Sequence, residues 1–241
     1  MNPTLPPEAR TADDWDRLYR EGLPPWETGK PADELVRVLR DHRASIPRGM
    51  VIELGCGTGA DAVYLAKAGF DVTAVEFSPI AMERARARAE MEGAAVHFVL
   101  DDVFEYIETA GKFDLIHDAG FYEFARRQDL GRLLDVLWRL STPGSFYLVL
   151  AGNADEKKGT GAFCRNGPEG ASHKMHLSPF SSPDEPLDDG PPSVTQRDIH
   201  LELGRLFEMV ELRPCRLASP RRADGYPGWS CLMRRPQPLS R

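Results

Sequence analysis

The stretch Val51-Ile52-Glu53-Leu54-Gly55-Cys56-Gly57-Thr58-Gly59 constrains the fold of this chain more than any other. Two β-branched residues and a leucine lead into glycines at three alternate positions, and residues 60–68 that follow are compatible with helix. The pattern predicts a buried strand, a tight loop and a helix opening over that loop. Glycine serves where the backbone takes positive φ or where a ligand must approach the main chain closely. A second strand over residues 70–75 ends in Glu76, twenty-one residues after Gly55. An acid at that strand tip is placed to accept hydrogen bonds from both hydroxyls of a ribose.

Two cofactor classes use this arrangement. Gly55-x-Gly57-x-x-Ala60 is compatible with a dinucleotide site, in which the helix N-terminus faces a pyrophosphate. Glu53 argues against it, because a carboxylate entering the loop would repel a pyrophosphate and attract an ammonium or sulfonium. S-adenosylmethionine carries both of those cations and no phosphate. Gly59 also completes a Glu-x-Gly-x-Gly-x-Gly run, which extends beyond the dinucleotide pattern.

The rest of the chain alternates strand and helix as far as residue 151, which implies a parallel sheet with right-handed crossovers. Residues 1–10, with three prolines and no periodicity, are expected to be disordered. Residues 11–21 form a short helix with Trp15, Leu18 and Tyr19 on one side, and the prolines before Trp26 hold the next segment extended. Pro31 suits the first turn of a helix ending near His42. Ser78 and Pro79 supply an N-cap and first residue for a helix running to about Glu92. Further strands are predicted at 95–100, 113–117 and 145–151, with a helix marked by Leu130, Leu133, Leu134 and Leu137 between the last two. Residues 153–192 are rich in Gly, Pro, Ser and charge, a composition typical of a functional lid or a disordered insert. Thr195 and Asp198 then open a capped helix, and strands at 209–212 and 229–234 flank a loop of some sixteen residues and pair as a hairpin.

Taken together, Glu53-Leu-Gly-Cys-Gly-Thr-Gly59, Val75-Glu76-Phe77-Ser-Pro79, Asp102-Val103 and Phe113-Asp-Leu-Ile-His-Asp118 resemble class I S-adenosylmethionine-dependent methyltransferases. Pro25-Trp26-Glu27-Thr28-Gly29-Lys30-Pro31 and Trp229-Ser-Cys-Leu-Met-Arg-Arg235 narrow the likeness to the small-molecule branch around thiopurine and thiol methyltransferases. The likeness covers roughly residues 12–152 and 191–236. It implies a three-layer, Rossmann-like α/β sandwich whose seven-stranded, mostly parallel sheet is ordered 3-2-1-4-5-7-6 with an antiparallel last strand. Residues 11–241 would then be one methyltransferase domain, with an N-terminal lid over 11–45 and the polar insert 153–192.

Within that frame Glu53 and the loop of Gly55, Cys56, Gly57 and Gly59 are expected to hold the methionine part of S-adenosylmethionine. Cys56 itself reads as a small packing residue turned towards the sheet. Glu76, followed by Phe77, should take the ribose hydroxyls. Asp102 should accept from the adenine amino group with Val103 beside the ring, Asp101 being the alternative by one position. Trp26 is read either as a plug on the sheet or as a lid whose aromatic face meets cationic sulfur. Asp118 lies beside the reacting methyl. Relatives often read Asp-x-Gly-x-x-His where this chain has Asp118-Ala-Gly-Phe-Tyr122-Glu123, so Glu123 stands in place of a histidine. Glu123 and Asp118 are therefore the candidate general bases, with Tyr122 able to orient an acceptor.

A thiol with pKa ~8.5 is already a few per cent thiolate at pH 7, whereas a hydroxyl needs a base. The expected acceptor is accordingly a thiol or another soft nucleophile. An NAD-dependent oxidoreductase using Gly55, Gly57 and Glu76, and a catalytically silent S-adenosylmethionine-binding protein, are the competing readings.

Bulk properties exclude other classes. Thirty basic against 37 acidic residues give a net charge of −7, which disfavours a nucleic-acid partner. Residues 212–241 are locally basic, with seven arginines and one acid, and read as a solvated sheet edge. No run approaches ~18 apolar residues, so no membrane span is expected, and the proline-rich, acidic start is unlike a signal peptide. The four cysteines, at 56, 164, 215 and 231, lack CxxC spacing, which fits a reduced, cytoplasmic protein. His173 and His176 with Cys164 lack a fourth ligand and read as solvated loop residues, so no metal site is expected. A monomer acting on a small molecule completes the expectation.

Overall fold

Strand β1 (Met50–Leu54) occupies the middle of the sheet because it is apolar on both faces, with Val51, Ile52 and Leu54 fully buried. The computed structural model describes residues 11–22, 24, 26–157 and 192–238. Strands β2 (Asp71–Glu76) and β4 (Phe113–Ala119) flank β1 in parallel register. Outside them lie β3 (Val96–Leu100) against β2 and β5 (Ser141–Asn153) against β4, also parallel. A two-residue strand, β6 (Ser193–Val194), pairs with the end of β5. The antiparallel hairpin of β7 (Glu208–Ser219) and β8 (Arg222–Arg234) completes the path 3-2-1-4-5-8-7. This is the expected topology, its last two strands renumbered by β6, which is too short to carry a periodic signal.

Helices cover both faces. On one lie α2 (Asp33–Asp41), α3 (Ala60–Lys67) and α4 (Pro79–Glu92), with Leu35, Val38, Ala62 and Leu65 packed on Val51, Val72, Leu115 and Leu148. α1 (Ala12–Glu21) rests on α4. On the other face α5 (Val103–Tyr106), α6 (Phe121–Leu140) and α8 (Gln196–Glu202) cover Ile52, Ile116, Tyr147 and Val149, while α7 (Ala154–Lys157) is a single turn after β5. Alternation along β5 shows the layering: Phe146, Leu148 and Leu150 join one core, Tyr147, Val149 and Ala151 the other. Each fully buried valine, leucine, isoleucine or phenylalanine among these contributes about 1.5–3 kcal/mol.

Start signals behave as the sequence implies. Ser78 accepts from Ala81 N–H with Pro79 opening α4, and Thr11 and Thr195 form capping boxes with Asp14 and Asp198. Pro31 sits one step outside its helix, since Ala32 is the N-cap of α2. The expected sixteen-residue loop near the C-terminus is instead strand. β7 and β8 run on to a turn at Pro220 and Arg221, and only their inner halves carry the apolar alternation that marks a strand. α6 begins nine residues before its leucine stripe. It breaks at Asp129, whose extended backbone (φ −158°) and carboxylate, accepting from Arg132 N–H at 2.9 Å, restart the helix. The segments 1–10 and 158–191, with Cys164, His173 and His176, lie outside the described residues.

Gly59 joins loop to helix by close contact. It is left-handed (φ +76°), and a Cβ there would lie 2.9 Å from Ala85 Cβ and 3.2 Å from Ala85 Cα. Gly59→Ala is expected to destabilise the fold by about 2–4 kcal/mol, from left-handed strain plus overpacking against fixed backbone. Urea unfolding checks this, and adding Ala85→Gly should recover only the packing part. A Gly59→Ala protein as stable as wild type would show that α3 and α4 can move apart freely.

Candidate active site

A cavity of about 330 Å³ opens at the carboxyl ends of β1, β2 and β4. The loop after β1 forms its floor. Gly55 and Cys56 N–H donate to the Val75 carbonyl at 2.9 and 3.0 Å, which ties the loop to β2. Glu76 finishes the tie, one oxygen accepting from Gly57 N–H at 3.0 Å and the other from Ser78 N–H at 2.8 Å. The acid expected only to meet a ribose therefore also shapes the loop. Burial raises its pKa, against the pull of those backbone donors. Gly55, Cys56 and Gly57 line the cavity, and Cys56 is buried in the apolar core beneath. Gly59 does not line it; it packs on α4.

Glu53 lines the cavity at 4% exposure, and its Oε2 has no hydrogen-bond partner. Burial, then the neighbouring Asp61 and Glu76, push its pKa well above the ordinary carboxylate range. An orphaned buried carboxyl oxygen is costly alone and becomes favourable against a cation. Asp61, from the first turn of α3, lies beside it. One Asp61 oxygen accepts from Ala32 N–H at 2.7 Å, and the other meets His117 Nε2 at 2.9 Å. His117 Nδ1 faces the Leu148 carbonyl at 3.1 Å and must donate to it. Burial alone would lower the His117 pKa, but Asp61 outweighs it and the net shift is upward. Glu53, Asp61 and His117 come within metal-binding distance of one another, yet both imidazole nitrogens and both Asp61 oxygens are already engaged. Asp61 and His117 form a strut linking β4, α3 and the N-terminal segment. Sequence reading passed over it, because its members are far apart in the chain and follow no motif spacing.

The candidates after β4 separate. Asp118 is fully buried behind the cavity wall, accepting from Tyr147 Oη at 2.5 Å and Tyr122 N–H at 3.2 Å, with burial raising its pKa to about 6. Tyr122 points away from the cavity and donates to Glu202 at 2.8 Å on α8, a carboxylate also gripped by Arg126. Neither lines the cavity, since Asp118 lies within β4 and Tyr122 within α6. Glu123 does line the cavity. It is 1% exposed, Oε1 accepts from Gly152 N–H at 2.9 Å, and Oε2 has no partner. Burial lifts its pKa to about 8.

Asp101, Asp102 and Val103 line the far side with Phe77. Asp102 also caps α5, one oxygen accepting from Phe104 N–H at 2.8 Å, which leaves its second oxygen for a ligand. The roof is the N-terminal segment. Trp26 and Trp15 line the cavity, their rings 5.5 Å apart edge to face, with Trp15 5.0 Å from Phe124 and 6.3 Å from Phe77. Glu27, which sequence reading did not single out, accepts from Thr58 Oγ1 in the glycine loop, while Arg88 on α4 holds the Thr58 and Gly29 carbonyls at 2.9 and 2.8 Å. Asp16 accepts from Ser78 Oγ in the same manner.

The family model described as a methyltransferase domain matches residues 51–144, the stretch from β1 to the start of β5. Over the stretch that carries the glycine loop the chain is thus similar to methyltransferase domains. It is 31% identical over 152 residues to a probable thiol methyltransferase 2 of Arabidopsis thaliana, covering 60% of this chain and 64% of the relative. It is 27% identical over 128 residues to a 2-heptyl-1-hydroxyquinolin-4(1H)-one methyltransferase of Mycobacteroides abscessus, covering 53% and 55%. The chain thus spans about half to two thirds of the length of these curated relatives. A solved structure from work on conversion of a disulfide bond into a thioacetal group during echinomycin biosynthesis superposes with a TM-score of 0.69 at 20% identity, covering 94% and 93% of the two chains. Among the described residues no helix is long and apolar enough to cross a membrane.

The cavity carries a testable titration. The folded pKa of Glu123, about 8, lies above its ordinary value of 4.5, so the folded state keeps a proton that the unfolded chain has released between those values. Its stabilising contribution is full below pH 4.5 and is lost as pH rises towards 8, at about 1.4 kcal/mol per unit. Glu123→Gln should match wild type in urea unfolding near pH 5 and exceed it by on the order of 3–5 kcal/mol at pH 9. Parallel stability curves for the two proteins would mean that Glu123 is ionised and hydrated in the fold.

Proposed function

We propose that this protein transfers a methyl group from S-adenosylmethionine to a small-molecule acceptor, a thiol or another soft nucleophile, with Glu123 receiving the acceptor's proton. The observation that carries this reading is the pair of buried carboxyls, Glu53 and Glu123, that face one cavity with an unpartnered oxygen each. The two curated relatives act on small molecules by their names, and one is a probable thiol methyltransferase.

When bound, the cofactor supplies an electrophilic methyl on positive sulfur. Glu53 would take the ammonium end and lose its desolvation penalty to that charge. A pyrophosphate in the same place would meet this carboxyl, which counts against the dinucleotide reading. Glu76, already fixed by two backbone donors, would accept from ribose hydroxyls, and the second oxygen of Asp102 from the adenine amino group, with Phe77 and Val103 against the ring. Trp15 and Trp26 would roof the site and exclude water, the role expected of a lid over residues 11–45.

At the reacting end Glu123 Oε2, unpartnered at the cavity, would accept the proton that the acceptor's nucleophile gives up when it is methylated. A carboxyl with pKa about 8 is mostly protonated at neutral pH, but a cationic sulfonium nearby favours its ionised form. Cofactor binding thus readies the base.

Calorimetry with S-adenosylhomocysteine tests the cofactor, and Glu76→Gln should weaken that binding by about one to two decades through loss of a charged acceptor. Turnover of a thiol panel tests the base. The loss in Glu123→Gln should grow with thiol pKa, reaching about 10²–10⁴-fold for the most basic thiols. A loss that is the same across the panel would leave Glu123 a structural group. Absence of any heat with millimolar S-adenosylhomocysteine would remove the whole reading.

A further inference from the structure

The cavity is polar in charge as well as in shape. Its acids on the cofactor side, Glu53, Glu76, Asp101 and Asp102, stand at the tips of β1, β2 and β3. The opposite side, built by the first segment of α6 and the β7–β8 hairpin, presents Arg127, Arg216 and Arg221. Arg216 is paired with Glu156 at 2.6 Å. Arg127 differs. It has no hydrogen-bond or ion-pair partner among the described residues, and its helical neighbour Arg126 is committed to Glu202. The carboxyl whose charge reaches Arg127 is Glu123, four residues earlier and so one turn away on the same helix face. Glu123 makes no ion pair with it, since Oε1 accepts from Gly152 N–H and Oε2 has no partner. Arg127 is also solvent-exposed while lining the cavity, which places it at the mouth, and partial burial together with Arg126 lowers its pKa. Phe121 and Phe124 on the same segment give this end an apolar wall.

Resting on the proposed methyl transfer, we infer that the acceptor is an organic acid: an apolar, aromatic-sized body whose nucleophile reaches Glu123 and whose carboxylate pairs with Arg127. A planar guanidinium presents a fork that matches a carboxylate in two hydrogen bonds. Arg127 is thus a specificity-determining residue, and the charge polarity of the cavity sorts its two ligands, the cation to the acid side and the anion to the arginine side.

The test measures binding on the full chain saturated with S-adenosylhomocysteine, so it does not depend on turnover. The probes are 4-mercaptobenzoate and 4-mercaptobenzamide, which share body and thiol and differ in the anionic group. The acid is expected to bind at least tenfold more tightly than the amide. Arg127→Met should abolish that preference by weakening the acid alone, and Arg127→Lys should keep part of it. Turnover of the two probes should show the same split in KM with little change in kcat. Equal binding of acid and amide, an equal loss for both in Arg127→Met, or no binding of the acid would overturn the inference. Failure of S-adenosylhomocysteine itself to bind is a separate result, and it removes the reading on which the inference rests.

Discussion

Carboxyl groups without water are the constraint on which this structure turns. Glu53, Asp61, Glu76, Asp118 and Glu123 all converge at the carboxyl ends of the central strands, and none is more than 7% exposed. Each is expensive to bury, and the fold meets the cost in different ways. Asp61 is paired with a histidine and a backbone donor, Asp118 with a tyrosine and a backbone donor, and Glu76 with two loop amides. Glu53 and Glu123 each keep one oxygen unanswered. Unsatisfied buried groups are uncommon in folded proteins, and these two both line the cavity.

The same economy explains how the N-terminal segment is attached. It contributes no strand, yet it closes over the cavity through side chains that reach the loop and the two helices beside it. Glu27 holds Thr58, Asp16 holds the α4 cap Ser78, and Ala32 N–H holds Asp61. Each contact lands on an element that also shapes the cofactor side of the cavity. Closure of the roof and order in the glycine loop are therefore coupled, since an arm that lifted away would leave Thr58, Ser78 and Asp61 short of a partner. Its own Leu18 and Tyr19 are buried, so the segment is also part of the packing.

Much of this was legible in the sequence where a local rule acts. Strands buried on both faces, the caps at Ser78 and Thr195 and the alternate glycines each follow from neighbours a few residues apart. The order of the sheet needed the family likeness, since alternation of strand and helix leaves strand order open. What the sequence hid depends on long separations. Tyr122 looked like an acceptor-orienting residue beside Glu123, but adjacent residues on a helix point about 100° apart, and α8 supplies a carboxylate that claims the tyrosine. The hairpin was masked because its outer halves are edge strands rich in arginine and proline, which blunt the strand signal while suiting an exposed edge.

The position of Glu123 depends in turn on the break in α6. A straight twenty-residue helix would carry its buried stripe along one line, and here that line belongs to Leu133, Val136, Leu137 and Leu140 against the sheet. The interruption at Asp129 frees the first segment to turn its faces differently. Tyr122 and Arg126, one turn apart, lock onto Glu202, and the guanidinium fork fills both oxygens of that acid. A buried ion pair of this type adds little net stability, because desolvation cancels most of its attraction. Its value lies in geometry, since a two-pronged contact allows one orientation of the helix about its axis. With Tyr122 and Arg126 held on one side, Glu123 and Arg127, about 100° further round the helix, come to line the cavity. The apolar packing of α6 thus fixes where the helix lies, and a polar clamp on its far side fixes which residues the cavity meets.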